Sequence, residues 1–289
     1  MMSSKSKLVD LLFDSTCFFL IFILFIVVRI LIFGTNEGLY PTKHAFLCED
    51  TNINWPYQEE SVGVAVITFL SYIIPIVVIF IVEVSNNMGK SENDQEDEEP
   101  ESFGFFSLKP WVTNMFSLIF VFVFGGFLSQ IVTDLSKLTV GRLRPSFMAA
   151  CKANLTGPGC QGYVTRDVCT GDLFEIKLAS MSFPSGHSSI SMYGMLFLAL
   201  YLQAAVRTET KLLKPLLQVV AVSLSLFVGW SRIADNKHFS TDVLAGFVLG
   251  AIFAWFVAFK ILKLFAIRIR KPKVYTLLPQ QQRTSVADE

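Results

Sequence analysis

Two of the chain's three histidines lie in short polar clusters at the ends of apolar stretches. Lys137 and the pair Arg144-Pro145 stand seven residues apart, about two helical turns, so a helix running through both would point their cations the same way. Pro184-Ser185-Gly186-His187 immediately precedes an apolar run. Ser231-Arg232 closes another run, His238 follows six residues after Arg232, and Asp242 four residues after that. The last spacing places a carboxylate one turn from an imidazole.

These residue types suit phosphate chemistry. Lys137, Arg144 and Arg232 carry the donor-rich heads that bind phosphate oxygens. Ser185 and Gly186 would lie at a helix N-terminus, where free N–H groups and the helix dipole favour an anion. Gly186 also lets the backbone approach closely. His238 has Asp242 to hold one ring nitrogen protonated, which leaves the other free to attack phosphorus. His187, beside the anion-binding turn, is then the general acid. In a second step it would act as base toward water and release phosphate from a phosphohistidine. Each cluster taken alone also has an ordinary reading: basic residues as membrane-surface anchors, Ser185 as an N-cap, His238 and Asp242 as a structural hydrogen bond. His44 is given no role. No metal is expected, because Asp242 is committed to His238 and three cations would repel a divalent ion; no other cofactor is called for.

The elements that must position these residues are apolar. Of 289 residues 52% are hydrophobic and only 17% charged, against about 25% in soluble domains. Basic and acidic residues number 24 each, so no basic excess points to nucleic acid. Six stretches approach the ~20 residues that cross a bilayer, which predicts helices over about 8–33, 62–82, 111–132, 188–206, 215–231 and 243–262. None shows the two-residue alternation of a barrel strand. The expectation is an all-α integral membrane protein, one six-helix bundle over 1–273 with a cytosolic tail at 274–289. Lys5 and Lys7 flank the first stretch, but no small-x-small cleavage site follows, so it is read as a retained helix rather than a signal peptide.

Connection parity unites the clusters. With six spans, the first two fall in the third connection and the last in the fifth, so all open on one membrane face. The N-terminus, even-numbered connections and C-terminus hold 14 basic residues against nine on the other side, which places both termini in the cytosol and the clusters outside. Asn154-Leu155-Thr156, the one N-x-S/T sequon, lies in the third connection as a glycosylation site on that outer side. Cys17 falls in the first span, whereas Cys48, Cys151, Cys160 and Cys169 all fall in outer connections. Three disulfide pairings, or free thiols, are open to them. The acidic run from Glu92 to Glu101 is read as a solvated cytosolic loop. The basic run from Arg268 to Lys273 either attracts anionic head groups or simply fixes topology. Gly246 and Gly250 form a G-x-x-x-G, a close-packing motif within the bundle or between subunits.

Lys137-(six residues)-Arg144-Pro145, Pro184-Ser185-Gly186-His187 and Ser231-Arg232-(five residues)-His238-(three residues)-Asp242 together resemble the three-part signature of the type-2 phosphatidic acid phosphatase superfamily. The six spans, the glycosylatable loop between the first two motifs, and stretches such as Gly141-Arg142-Leu143-Arg144-Pro145 and Ser188-Ser189 resemble the animal lipid phosphate phosphatases over nearly the whole chain. The resemblance implies a magnesium-independent enzyme in the plasma membrane or internal membranes, often oligomeric. Its implied substrates are phosphatidate, lysophosphatidate, ceramide 1-phosphate and sphingosine 1-phosphate. By position it makes His238 the nucleophile, His187 the acid, Asp242 the orienting carboxylate, and Lys137, Arg144, Ser185, Gly186 and Arg232 the phosphate ligands. A phosphatase for a soluble monoester and a catalytically silent membrane scaffold are the competing readings. A vanadate haloperoxidase, which has a similar anion pocket, is made remote by the six spans. The presence of both histidines argues against the scaffold.

Overall fold

The computed structural model of the chain describes residues 4–34, 38–88, 101–103, 106–153, 162–206 and 208–265. Asn154, Cys160, the acidic run up to residue 100, the basic run 268–273 and the tail 274–289 lie outside the described residues.

Among the described residues, six helices are long and apolar enough to cross a membrane. In chain order the helices are α1 (Ser4–Arg29), α2 (Val64–Met88), α3 (Pro110–Val140), the short α4 (Phe147–Cys151) and α5 (Leu173–Ala179), α6 (Gly186–Ala205), α7 (Leu213–Ala234) and α8 (Ser240–Trp255). Looser π-helical turns extend α1 over Ile30–Gly34 and α8 over Phe256–Ile261, and another interrupts α2 at Phe69–Ile73. All six expected spans are present. The largest departure is α3, 31 residues long where 111–132 was expected. At about 1.5 Å per residue it reaches ~46 Å, beyond the ~30 Å hydrocarbon layer. Its last turns are therefore polar, and they carry Lys137.

Local chemistry sets the ends of these helices. Pro110 opens α3 at a position where its missing N–H has no helical partner to lose. Gly141 stops it in the left-handed region at φ 59°, and a Cβ there would sit 2.2 Å from the Thr42 carbonyl oxygen. Asp172 caps α5 by accepting the N–H groups of Phe174 and Glu175 at 3.0 Å.

Helix α6 is the axis of the bundle. It packs against α7 and α8, with α3 and α2 beside it and α1 laid against α3. Its Tyr193, Phe197 and Tyr201 are fully buried among Phe122, Ile79, Ala254 and Val257, and the Tyr193 hydroxyl donates to the Phe122 carbonyl. Outward side chains such as Phe19, Val64, Phe116, Leu216, Trp230 and Leu244 are exposed, a surface suited to lipid rather than water. Gly246 and Gly250 pack within the bundle. A Cβ at either would meet the carbonyl oxygen of Ser185 at 2.5 Å or of Ser189 at 2.2 Å, so α8 can lie directly on the start of α6.

The connections at one end of the bundle form a small folded cap. Strand β1 (Phe46–Leu47) pairs antiparallel with β4 (Tyr163–Val164) in this cap; β2 (Glu101–Phe103) and β3 (Phe106–Leu108), between α2 and the start of α3, make a separate hairpin outside it. Phe46, Ile53, Phe147, Met148 and Ile176 build an apolar core beneath β1 and β4. A Cys151–Cys169 disulfide closes the loop between α4 and α5, and Cys48 is disulfide-bonded as well. The free-thiol alternative therefore does not hold for these three. Cys17 is free and exposed.

Candidate active site

The ends of four spans meet under this cap. Lys137 lies near the C-terminus of α3, Ser185 to His187 at the N-terminus of α6, Arg232 near the C-terminus of α7, and Asp242 in the first turn of α8. The Ser185 N–H donates to the Asp242 carbonyl at 3.0 Å and fastens α6 to α8. A Cβ on Gly186 would fall 2.9 Å from Lys137 Nζ, so the missing side chain is what allows the ammonium to sit beside the α6 N-terminus. Arg144 is not on α3, because Gly141 ends that helix. The two cations converge through a turn, held where the Arg144 N–H donates to the Ala179 carbonyl at 2.8 Å and the Ser182 N–H to the Arg142 carbonyl at 2.9 Å.

All eight residues expected at the site are brought together. The charges that reach His187 are those of Arg232, His238, Lys137 and Arg144. His187 Nε2 and Arg144 Nε are buried without a hydrogen-bond partner among the described residues. Such atoms are costly to bury unless a ligand takes them. Ser185 caps α6 as its ordinary reading has it. Its oxygen accepts from the Ser188 hydroxyl at 3.0 Å and, at 3.5 Å, from the Ser188 N–H, leaving its own proton for another acceptor.

The link between His238 and Asp242 differs from the expected direct pairing. Their closest atoms, Nδ1 and Oδ2, are 3.9 Å apart, too far for a hydrogen bond. His238 is not on a helix: it precedes α8, and Asp242 sits in the first turn with Oδ2 accepting the Phe239 N–H at 3.0 Å. Ser182 bridges the two, its Oγ 2.6 Å from Asp242 Oδ2 and 3.4 Å from His238 Nδ1. A hydroxyl has one proton, and the carboxylate takes it. Toward the imidazole Ser182 can therefore only accept, which places the ring hydrogen on Nδ1 and the lone pair on Nε2. The contact from Asp242 to the His238 ring thus runs through a serine.

Electrostatics favour that free lone pair. Burial, with the charges of Arg144 and Lys137, outweighs Asp242 and lowers the His238 pKa from 6.5 to about 4. The ring is therefore uncharged and nucleophilic at neutral pH. Burial also lowers Arg144 from its ordinary value, with the Glu60 carboxylate opposing the shift.

Several contributors were not legible as site residues. Arg142 donates to both Asp242 Oδ1 and Thr241 Oγ1 and lies over the Phe239 ring at 4.3 Å. Asp235 accepts from Arg232 Nη2 at 2.7 Å and is held in turn by the Ser61 N–H at 2.9 Å. Glu60 lies 3.8 Å from Arg232. The segment 55–61 straps the mouth of the site, tied also by Trp55 N–H to the Pro145 carbonyl and by Asn236 to the Pro56 carbonyl, each at 3.0 Å. Asp235 had a sequence signal, an acid three residues after Arg232. The strap and Ser182 had none, since they reach the site through loop folding.

The PAP2 superfamily pattern matches residues 115–265. A Drosophila melanogaster protein named as a phosphatidate phosphatase is 36% identical over 245 residues, which are 80% of this chain and 65% of that protein. Phospholipid phosphatase 2 of Rattus norvegicus is 37% identical over 215 residues, 74% of each chain. Phospholipid phosphatase 1 of the same species is 35% identical over 216 residues, 74% of this chain and 73% of that one. Among solved structures, a PAP2-type phosphatidylglycerolphosphate phosphatase from Bacillus subtilis is 21% identical, covering 72% of this chain and 78% of its own, at a TM-score of 0.38.

Ser182→Ala is expected to lower kcat by roughly 10²-fold, the scale of a misplaced reacting group, with little change in KM. Steady-state kinetics on a phosphate monoester check this; a raised KM with unaltered kcat would contradict the bridge.

Proposed function

Because this chain belongs to the PAP2 superfamily and is a phosphatase by that membership, we propose that it hydrolyses the phosphomonoesters of membrane lipids through a phosphohistidine. The proposed substrates are phosphatidate, lysophosphatidate, ceramide 1-phosphate and sphingosine 1-phosphate. One observation carries the reading: two histidines and three cations converge at the ends of membrane-length helices. A head group can enter there while its acyl chains stay in the bilayer.

In the first step His238 Nε2 attacks phosphorus. A P–N bond forms as the P–O bond to the lipid breaks, and His187 gives its proton to the departing oxygen. The arriving dianion itself favours the protonated form of His187. Lys137, Arg144, Arg232 and the α6 N-terminus bind the non-bridging oxygens, which are stabilised most as charge spreads over them in the transition state. The ring of His238 gains positive charge, and Asp242 acting through Ser182 steadies it. His187, now neutral, takes a proton from water, the hydroxide oxygen bonds to phosphorus, and the P–N bond breaks. The products are inorganic phosphate and diacylglycerol, monoacylglycerol, ceramide or sphingosine. The chemistry is proposed to need no metal, since three cations already do the charge stabilisation a divalent ion would supply. Arg142 and Ser182 join the site as positioning residues for Asp242 and His238.

The proposed topology places both termini in the cytosol and the site on the extracellular or lumenal face, at the plasma membrane or in internal membranes. The Cys151–Cys169 disulfide in the cap supports an oxidising compartment on that side. Assembly into a homo-oligomer is proposed on family resemblance alone.

A panel of lipid and water-soluble monoesters, assayed in detergent micelles with chelator present, tests this function. The wild type should turn over the lipids preferentially, and His238→Ala should lose at least about 10³-fold. Undiminished turnover in His238→Ala refutes the mechanism, and strong preference for a soluble ester refutes the lipid reading. Topology is tested separately by endoglycosidase treatment. A band shift that Asn154→Gln abolishes is expected; glycan accepted by a sequon engineered into the 92–101 run would overturn the orientation.

A further inference from the structure

Asp134 is a carboxylate in the wrong place for an anion-binding pocket. It lies on α3 one turn before Lys137, and its side chain is 1% exposed. Its Oδ1 is 3.5 Å from Lys137 Nζ, the same ammonium that sits against the α6 N-terminus. Alone, a buried negative charge here would oppose a phosphate dianion and would be costly to desolvate. It is not alone. Arg29, from α1, places Nε 3.0 Å from Asp134 Oδ2 and donates through Nη2 to Gln130 Oε1 at 2.9 Å. The Arg29 guanidinium lies 5.3 Å from the centres of the Phe25 and Phe33 rings, and Lys137 Nζ lies 5.9 Å from Phe33. One carboxylate thus stands between two cations, one facing the site and the other reaching in from the side.

We propose that Asp134 and Arg29 form a positioning pair through which α1 controls the phosphate site: Asp134 fixes Lys137 against the α6 N-terminus, and Arg29 cancels the charge that Asp134 would otherwise project into the pocket. This inference rests on Lys137 being a phosphate ligand, as in the function proposed above. It assigns a catalytic consequence to the first helix, which lies outside the segment 115–265 matched by the superfamily pattern. An ion pair that merely docked α1 on α3 would affect the amount of folded protein and nothing else.

The test uses full-length Arg29→Gln, Asp134→Asn and the double variant, each normalised to monodisperse protein in detergent. The readouts are kcat and KM on a lipid monoester and the inhibition constant of inorganic phosphate. Arg29→Gln leaves Asp134 uncompensated, so phosphate should inhibit about tenfold more weakly, the effect of one unscreened charge near a site. Asp134→Asn releases Lys137, so kcat should fall by roughly 10²-fold while phosphate binds as tightly as before or more so. The double variant should recover the wild-type inhibition constant yet keep the low kcat. Arg29→Gln and the double variant decide the matter if Asp134→Asn does not fold. An inhibition constant unchanged in Arg29→Gln, or a wild-type kcat in the double variant, overturns the proposal. Absence of turnover in the wild type would instead defeat the functional reading itself.

Discussion

Crowding three cations at the end of an apolar bundle is electrostatically expensive, and the architecture around the site follows from how that expense is met. Each cation has a carboxylate beside it: Asp134 for Lys137, Asp235 for Arg232, and Glu60 near both Arg232 and Arg144. These acids keep the pocket foldable before substrate arrives. They stand behind or beside the guanidinium and ammonium heads, and the proposed phosphate adds to the charge pairs already in place. Asp242 serves a different end. Shared by Arg142, Ser182 and the Phe239 N–H, it is fully buried and reaches the His238 ring through Ser182.

Helix termini make this arrangement compact. The first N–H groups of α6 have no partner within the helix, and α8 begins against that terminus because Gly246 and Gly250 carry no side chain to hold it off. The C-terminal halves of α3 and α7 bring Lys137 and Arg232 to the same level. Helices reach the site from the bilayer side while the disulfide-closed cap and the 55–61 strap cover it from the other. Under the proposed function, a lipid head group would reach the site between these two layers.

Much of this was legible in the sequence. The six spans and the convergence of His187, His238, Lys137, Arg144 and Arg232 follow from apolar run lengths and from counting connections. What escaped was set by tertiary contact. Polar residues from Thr133 to Thr139 break the apolar pattern, so α3 read as ending near 132, yet packing of its last turns beneath the cap keeps them helical to Val140. The i,i+4 spacing of His238 and Asp242 suggested a direct pair, but that rule holds only within a helix, and His238 lies before α8 begins. Ser182 enters from the loop preceding α6, a placement no periodicity encodes. Asp134 and Asp235 each stand three residues from a motif cation, so a search for i,i+3 counter-charges would have found them.

The proposed attack of His238 through Nε2 depends on Ser182 and Asp242 committing Nδ1. The most direct test is rapid quenching of turnover with labelled phosphate monoester, followed by mapping of the phosphohistidine and its ring position. Label on His238 at Nε2 is the predicted result. Label on His187, or on Nδ1 of His238, would contradict it.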